Sequence, residues 1–307
     1  MTIRNATATT GTGDWLPTAS LVLAMLLWAS SFVALKIAFA AYHPMVVIFG
    51  RMAVASLCFA AFIPGFCRLK FSRRDIKLLL LMSAFEPCCY FLFEAKALEN
   101  TTASQAGMIT AMLPLLVAIT AWLLLGESIT RKTLTGFGLA IVGACLLSLT
   151  SETSASAPNP LLGNSYEFLA MVCAAGYTVT LKHLSARFPP LFLTASMAFV
   201  GSLFFFPFLM LPGTELPQAL FPGPAMAIVY LGTAVTLLAY GLYNYAVGQL
   251  PASQAAGYVN LIPVFSVLLG MLILKETLTL PQWAACGLVF AGVAISSRGG
   301  REKHRTA

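Results

Sequence analysis

The amino-acid sequence predicts an all-α polytopic membrane protein whose ten transmembrane helices form two inverted five-helix repeats with both termini cytoplasmic. Three observations carry this prediction. First, 59% of the 307 residues are hydrophobic and 9% charged, with a mean hydropathy of +0.85, whereas soluble domains are roughly half apolar and one quarter charged. Second, the chain contains itself twice. Residues 103–143 and 252–292 align without a gap at an offset of 149: Ala103-Ser104-Gln105-Ala106 returns as Ala252-Ser253-Gln254-Ala255, Pro114 as Pro263, Glu127 as Glu276 and Gly143 as Gly292. Another block repeats at an offset of 146, where Leu23-Ala24-Met25 returns as Leu169-Ala170-Met171 and Leu35-Lys36 as Leu181-Lys182. Third, with the N-terminus inside, interior tails and loops hold 14 of the 18 Lys and Arg, the bias that orients membrane proteins.

Apolar runs between charged or Pro/Gly punctuation place the spans near 17–38, 45–65, 76–97, 102–125, 132–150, 166–184, 190–211, 223–247, 253–274 and 281–297. Five spans per half is an odd number, so the second half (166–307) enters from the side opposite to the first (1–150), and the polar Ser/Pro-rich linker 151–165 lies outside.

Span 1, behind Arg4, has the outline of a signal peptide. Its apolar run is longer than a signal core, however, and its repeat partner at 166–184 lies mid-chain, so it is structural. Span 2 holds Arg51, the one candidate for a mid-membrane cation. Span 3 places Ser83, Glu86, Tyr90 and Glu94 at spacings of three or four, a polar stripe that faces protein or water and not lipid. Glu86 sits roughly 15 Å from either end of its span at 1.5 Å per residue. An ionised, unpaired carboxylate at that depth costs several kcal/mol, so the group more readily holds a proton, which makes it the coupling candidate, with a neutral structural Glu as the alternative. Spans 4 and 9 supply Ser104 and Gln105, then Ser253, Gln254, Tyr258 and Asn260. Spans 1 and 6 contribute Trp28, Ser31, Tyr177 and Thr178. In span 8 Thr233, Thr236, Tyr240, Tyr243 and Asn244 repeat the periodicity of span 3, with Tyr243 equivalent to Glu94. Any one of these hydroxyls can equally be an interhelical packing group. Pro87, Pro114 and Pro263 free the carbonyls of Ser83, Thr110 and Val259, either to bend a helix, to face a ligand or as passive kinks. Glu127 and Glu276, at helix ends beside basic residues, read as caps or salt bridges. Small residues at Ala103/Gly107/Ala111 and Gly136/Ala140/Ala144 read as close helix packing.

The inventory excludes other classes. The aspartates Asp14 and Asp75 lie outside the hydrocarbon, the three histidines are dispersed, and no HExxH or GxxxxGK[ST] motif is present, so metal catalysis and direct ATP hydrolysis are not expected. The charge of +7 follows from the topogenic excess and does not indicate a nucleic-acid partner. Seven cysteines lying mostly in spans give neither a disulfide framework nor metal spacing. Neither a cofactor nor a metal is expected.

The doubled runs SQA…P…LGE…T…G…G at 104–143 and SQA…P…LKE…T…G…G at 253–292, with Trp28 and Ser30-Ser31, resemble the ten-helix EamA-type branch of the drug/metabolite transporter superfamily. Within it the chain is most similar to bacterial aromatic amino-acid exporters of the YddG type. The resemblance implies that helices 1, 3, 4, 6, 8 and 9 surround a central cavity while 5 and 10 lie peripherally. Span 1 lacks a carboxylate, so the first-helix Glu mechanism of the small four-helix multidrug members does not transfer. The expectation is therefore a secondary transporter of the bacterial inner membrane that exports amino acids, aromatic ones and methionine favoured, by alternating access. Its partners are a small-molecule substrate and lipid. The candidate binding set is Trp28, Ser31, Glu86, Tyr90, Glu94, Ser104, Tyr177, Tyr240, Tyr243, Asn244, Ser253, Tyr258 and Asn260. Efflux of drugs or other metabolites on the same fold, or a channel or membrane-embedded binding protein, are the alternatives.

Overall fold

The computed structural model describes residues 15–125, 131–250 and 252–306; Arg4 and Glu127 fall outside them. Ten helical runs follow in order: α1 (Trp15–Phe39), α2 (Pro44–Ala60), α3 (Arg73–Asn100), α4 (from Ala103–Ile109 through Thr110–Met112 to Leu113–Leu125), α5 (Arg131–Leu149), α6 (Pro160–Ser185), α7 (Pro190–Met210), α8 (Pro222–Gln249), α9 (from Ala252–Gly257 to Gly270–Leu274) and α10 (Leu280–Thr306). A one-turn helix, Ile63–Phe66, follows α2. By length and composition α1, α3, α7, α8 and the stretches Ala103–Thr120 and Gln254–Leu274 suffice to cross a membrane, whereas Pro44–Ala60, Leu134–Leu149 and Leu280–Ile295 are shorter apolar helices.

The start of α6 corrects the linker reading. Pro160 occupies the first helical turn and Asn159 caps it by accepting from Leu162 N at 3.2 Å, so the helix opens six residues before the expected 166. Although 26 residues long, α6 is not among the six long apolar helices, because Asn164, Glu167, Lys182 and His183 dilute its hydropathy. Asn164 and Glu167 face inward, 2% and 0% exposed.

Each principal helix pair joins the first half of the sequence to the second. α1 lies against α8 and α9, α6 against α3 and α4, α2 against α7 and α8, α4 against α9, and α5 pairs extensively with α10. Exchanging equivalent helices turns α1–α8 into α6–α3 and α1–α9 into α6–α4. Lipid tails are as apolar as leucine, so close packing has to hold such helices together. A Cβ at Gly107 would fall 1.8 Å from Ser266 Oγ, and one at Gly292 would fall 2.5 Å from Gly136 O, so α4–α9 and α5–α10 approach to backbone distance. Leu57, Leu203 and Met226 point outward, as a lipid-facing surface requires.

Two helices break their regular winding at repeat-equivalent places. In α3 the segment Ala84–Cys89 widens into a π-turn around Glu86 (φ −147°, ψ 120°) and Pro87, and α8 does the same over Leu231–Ala239. Pro114 and Pro263 instead follow tight 3₁₀ turns. There the Leu113 N–H bonds Thr110 O, and the Leu261 N–H bonds Tyr258 O with a second contact to Val259 O. Both freed carbonyls thus have an N–H neighbour within their own helix, which favours the bend or kink among the three readings.

Candidate functional site

In α1 to α9, four charged side chains of the described residues lie more than five positions from both helix ends: Arg51, Glu86, Glu94 and Glu167. Charges so deep are expensive unless partnered. Arg51, 1% exposed on α2, is well supplied: Nε donates to Thr236 Oγ1 at 3.1 Å, Nη1 faces Glu94 Oε2 at 3.5 Å, and the guanidinium carbon lies 4.1 Å from the centre of the Phe91 ring. Tyr90, one turn before Glu94 on α3, donates its hydroxyl to Glu94 Oε1 at 3.3 Å. Glu86 sits where the π-turn carries its side chain inward, and it accepts the hydroxyl of Tyr240 from α8.

These groups border a cavity of about 40 Å³ at the centre of the molecule. Its wall carries Trp28, Ser31 and Phe32 from α1, Arg51 from α2, Glu86, Tyr90 and Glu94 from α3, and Thr110 and Leu113 from α4. Met171, Ala174, Tyr177 and Thr178 from α6, Tyr240 and Tyr243 from α8, and Val259 and Ile262 from α9 complete it. Trp28 lies edge-on to Tyr240 and tilted to Tyr243, with ring centres 4.9 and 4.8 Å apart. Its indole N–H is buried without a partner. A volume of this size admits a water or two but not a solute of amino-acid size, whose pockets run to roughly 300 Å³ and more. In this conformation the cavity is too small to hold such a solute.

Repeat-equivalent positions meet at this wall. Trp28 and Ala174, Ser31 and Tyr177, Glu94 and Tyr243, Thr110 and Val259, and Leu113 and Ile262 are all such pairs, and all ten residues line the cavity. The chemistry on the two sides differs. The first half brings Arg51, Glu86 and Glu94; the second brings Tyr177, Tyr240 and Tyr243.

Of the sequence-derived candidates, Trp28, Ser31, Glu86, Tyr90, Glu94, Tyr177, Tyr240 and Tyr243 come together here. Others do not reach the cavity. Asn244 stands behind it, accepting from Tyr177 at 2.6 Å and donating to Thr194 at 2.9 Å, so it orients the tyrosine. Ser104 is buried at the start of α4 against Gly270 and Glu276. Tyr258 and Asn260 belong to the 3₁₀ turn that presents Val259 and are half-buried elsewhere. Ser253 lies outside the described side chains. Glu86 takes its donor, Tyr240, from α8, while Tyr90 of its own helix donates to Glu94. Helix α2 also joins the six expected cavity helices, through Arg51. The interior charge of Arg51 on an apolar helix is the sequence signal for it; Glu167, an interior charge on α6 not singled out from the sequence, lies outside the cavity lining.

An all-helical fold with apolar, outward-facing helices and a buried polar centre defines a polytopic membrane protein. Comparison with known proteins resolves it further. The model of the EamA-like transporter family matches twice, over residues 16–149 and 161–298, and the chain belongs to that family. It is 28% identical to an uncharacterized transporter of Archaeoglobus fulgidus over 91% of this chain and 97% of the relative. It is 27% identical to the uncharacterized transporter YetK of Bacillus subtilis, over 73% and 69%. It is also 25% identical to a probable terminal-alkyne amino-acid exporter of Streptantibioticus cattleyicolor, over 91% and 92%. A solved crystal structure with 18% sequence identity matches at a TM-score of 0.67, covering 94% of this chain and 99% of that one, which shows the shared fold. The protein is a transporter and not an enzyme.

Proposed function

We propose that this transporter exports amino acids, aromatic ones and methionine favoured, across the bacterial inner membrane by alternating access, with ten spans in two inverted halves and both termini cytoplasmic. The observation that carries the substrate reading is the mixed wall of the cavity: one guanidinium and two carboxyls from the first half, three tyrosines from the second, and Trp28 of α1 packed against Tyr240 and Tyr243. A zwitterion matches both. Its carboxylate competes with Glu94 for Arg51, whose 3.5 Å contact is long for a charged pair. Its ammonium meets Glu86, and its side chain lies among Trp28, Tyr240 and Tyr243. The amino-acid exporter relative lends support at 25% identity. A polyanion finds a single interior cation, which disfavours phosphate esters and nucleotide sugars.

Alternating access requires the small cavity to widen toward one side at a time, and the cross-half packing supplies elements able to rock about it. Counterflow in proteoliposomes tests the reading. Preloading with phenylalanine or methionine is expected to accelerate uptake of tracer, whereas a channel or a binding protein gives no trans-stimulation. A drug or unrelated metabolite that stimulates exchange while no amino acid does transfers the assignment to that substrate class.

A further inference from the structure

Helices α3 and α7 belong to opposite halves of the chain and are pressed together at Pro87 and Gly201, where a Cβ on Gly201 would fall 2.8 Å from Pro87 Cγ. From that contact toward the start of each helix they border an outward-facing groove of about 290 Å³. Ile76, Leu79 and Leu80 of α3 face Phe192 and Val200 of α7 across it, and Phe71 closes its end. The surface it offers is almost wholly apolar. Ser196 turns back to donate to Leu193 O at 2.8 Å, and Ser83, nearest Pro87, is 1% exposed. From Phe192 to Val200 the groove runs about 12 Å at 1.5 Å per residue, close to the roughly 15 Å of hydrocarbon in one leaflet.

The end of the groove at Phe71 is rich in cations. There the Phe71 ring packs on Phe188 and Phe192, with centres 5.4 and 5.5 Å apart. Around it Arg68, Lys70, Arg73, Arg74 and Lys77 are exposed, and among the described residues none of the five forms an ion pair. The acid of this stretch is already engaged: Asp75 accepts from the N–H and hydroxyl of Ser72 and from Arg187 Nη1 at 2.6 Å. Arg73 stands three residues before Ile76, and Lys77 three before Leu80, so both flank the face of α3 that borders the groove.

We infer that this groove seats one anionic phospholipid, its acyl chain between α3 and α7 and its phosphate beside Arg73 and Lys77. A chain lying on a flat helix face is touched from one side, whereas a chain in the groove gains contacts from both walls. Basic residues at the mouth of a pocket between membrane helices suit a lipid phosphate, and arginine meets it with paired N–H donors. A zwitterionic lipid brings the same chain, but its own ammonium offsets the phosphate, so headgroup charge separates the two. Once seated, the lipid fastens the two halves together at the basic end of the molecule, whatever solute the central cavity takes.

The test uses the full chain in a mild detergent, titrated with dioleoylphosphatidylglycerol, dioleoylphosphatidylcholine or inorganic phosphate while the thermal unfolding midpoint is followed. The phosphatidylglycerol is expected to raise the midpoint by a few degrees, because a ligand of the folded state stabilises it, and the other two to raise it far less. Equal shifts with both lipids overturn the inference, as does an equal shift with phosphate alone. Ser196→Trp fills the groove and leaves every charge in place; it is expected to abolish the phosphatidylglycerol shift. Arg73→Gln/Lys77→Gln keeps the groove and is expected to reduce that shift to the phosphatidylcholine level. A full shift in Ser196→Trp means headgroup attraction without a seat for the chain and overturns the inference. If Ser196→Trp does not fold, the unaltered chain decides: phosphatidylglycerol with a diazirine near the end of its acyl chain is expected, on illumination, to form adducts within 76–83 or 192–200, and adducts confined to other helices overturn the inference.

Discussion

Glu276 closes the first turn of α4 from the opposite end of the sequence. Oε1 accepts from Ala103 N and Oε2 from Ser104 N, each at 2.9 Å, across 173 and 172 residues. The expected cap is real, but it serves a helix of the other half. Lys275, in the left-handed region at φ 58° and ψ 29°, turns the chain so that Glu276 can reach it. Both bonds are charge-assisted and meet the positive end of the helix dipole. Glu276→Ala is expected to cost about 2 kcal/mol, read as a lower unfolding midpoint in detergent, and Glu276→Gln less, because one acceptor remains.

Arg51 and Glu94 are expected to be worth more together than apart. Removing the carboxylate's partner in Arg51→Met leaves a buried charge and is expected to destabilise by about 3–5 kcal/mol. The double variant R51M/E94M removes both charges and is expected to recover most of that loss while binding no amino acid. Denaturant unfolding and a binding assay on these two variants, Glu94→Met and the unaltered chain check this coupling.

The aromatic wall makes a prediction about selectivity. Tyr240→Ala and Tyr243→Ala are expected to weaken transport of phenylalanine more than of small polar amino acids, because each removes a ring contact worth about 0.5–1.5 kcal/mol. Equal losses across a panel of amino acids would assign the two tyrosines to packing.

Glu86 receives the Tyr240 hydroxyl at the cavity wall, so a change in its protonation alters the wall and, on the proposed reading, the ammonium site. Glu86→Gln keeps the shape and cannot titrate. Folding is expected to survive and the pH dependence of uptake between pH 5.5 and 8.5 to flatten. Unchanged rate and profile would make Glu86 structural.

If the two halves are inverted, as proposed, the 151–159 linker lies outside. Accessibility reporters placed there are expected to report outside, and reporters at both termini inside. A cytoplasmic linker would sink the five-plus-five arrangement.

The legible parts of this molecule were those written in local periodicity. The three-and-four spacing of Glu86, Tyr90 and Glu94 placed all three on the cavity wall, and the doubled SQA segments located the helix starts at Ala103 and Ala252. Contacts between distant segments were not legible: Arg51 meets Glu94 and Thr236 only once α2, α3 and α8 are packed, and the pairing of Glu86 with Tyr240 leaves no periodic trace. The early start of α6 was legible in Asn159-Pro160, a cap followed by a first-turn proline, but it was masked by the surrounding Ser/Pro-rich composition. Ser104 shows the converse error. A polar residue on the right helix was placed at the cavity when the first turn of that helix had another use for it.

The matching π-turns of α3 and α8 have a mechanical consequence. Each rod is divided near mid-bilayer into two segments whose hydrogen-bond ladders are out of phase, so twist applied at one membrane face is absorbed at the joint before it reaches the other. The two joints flank the cavity, so under the alternating access proposed above they would act as a pair of clutches, letting one end of each helix disengage while the other stays packed.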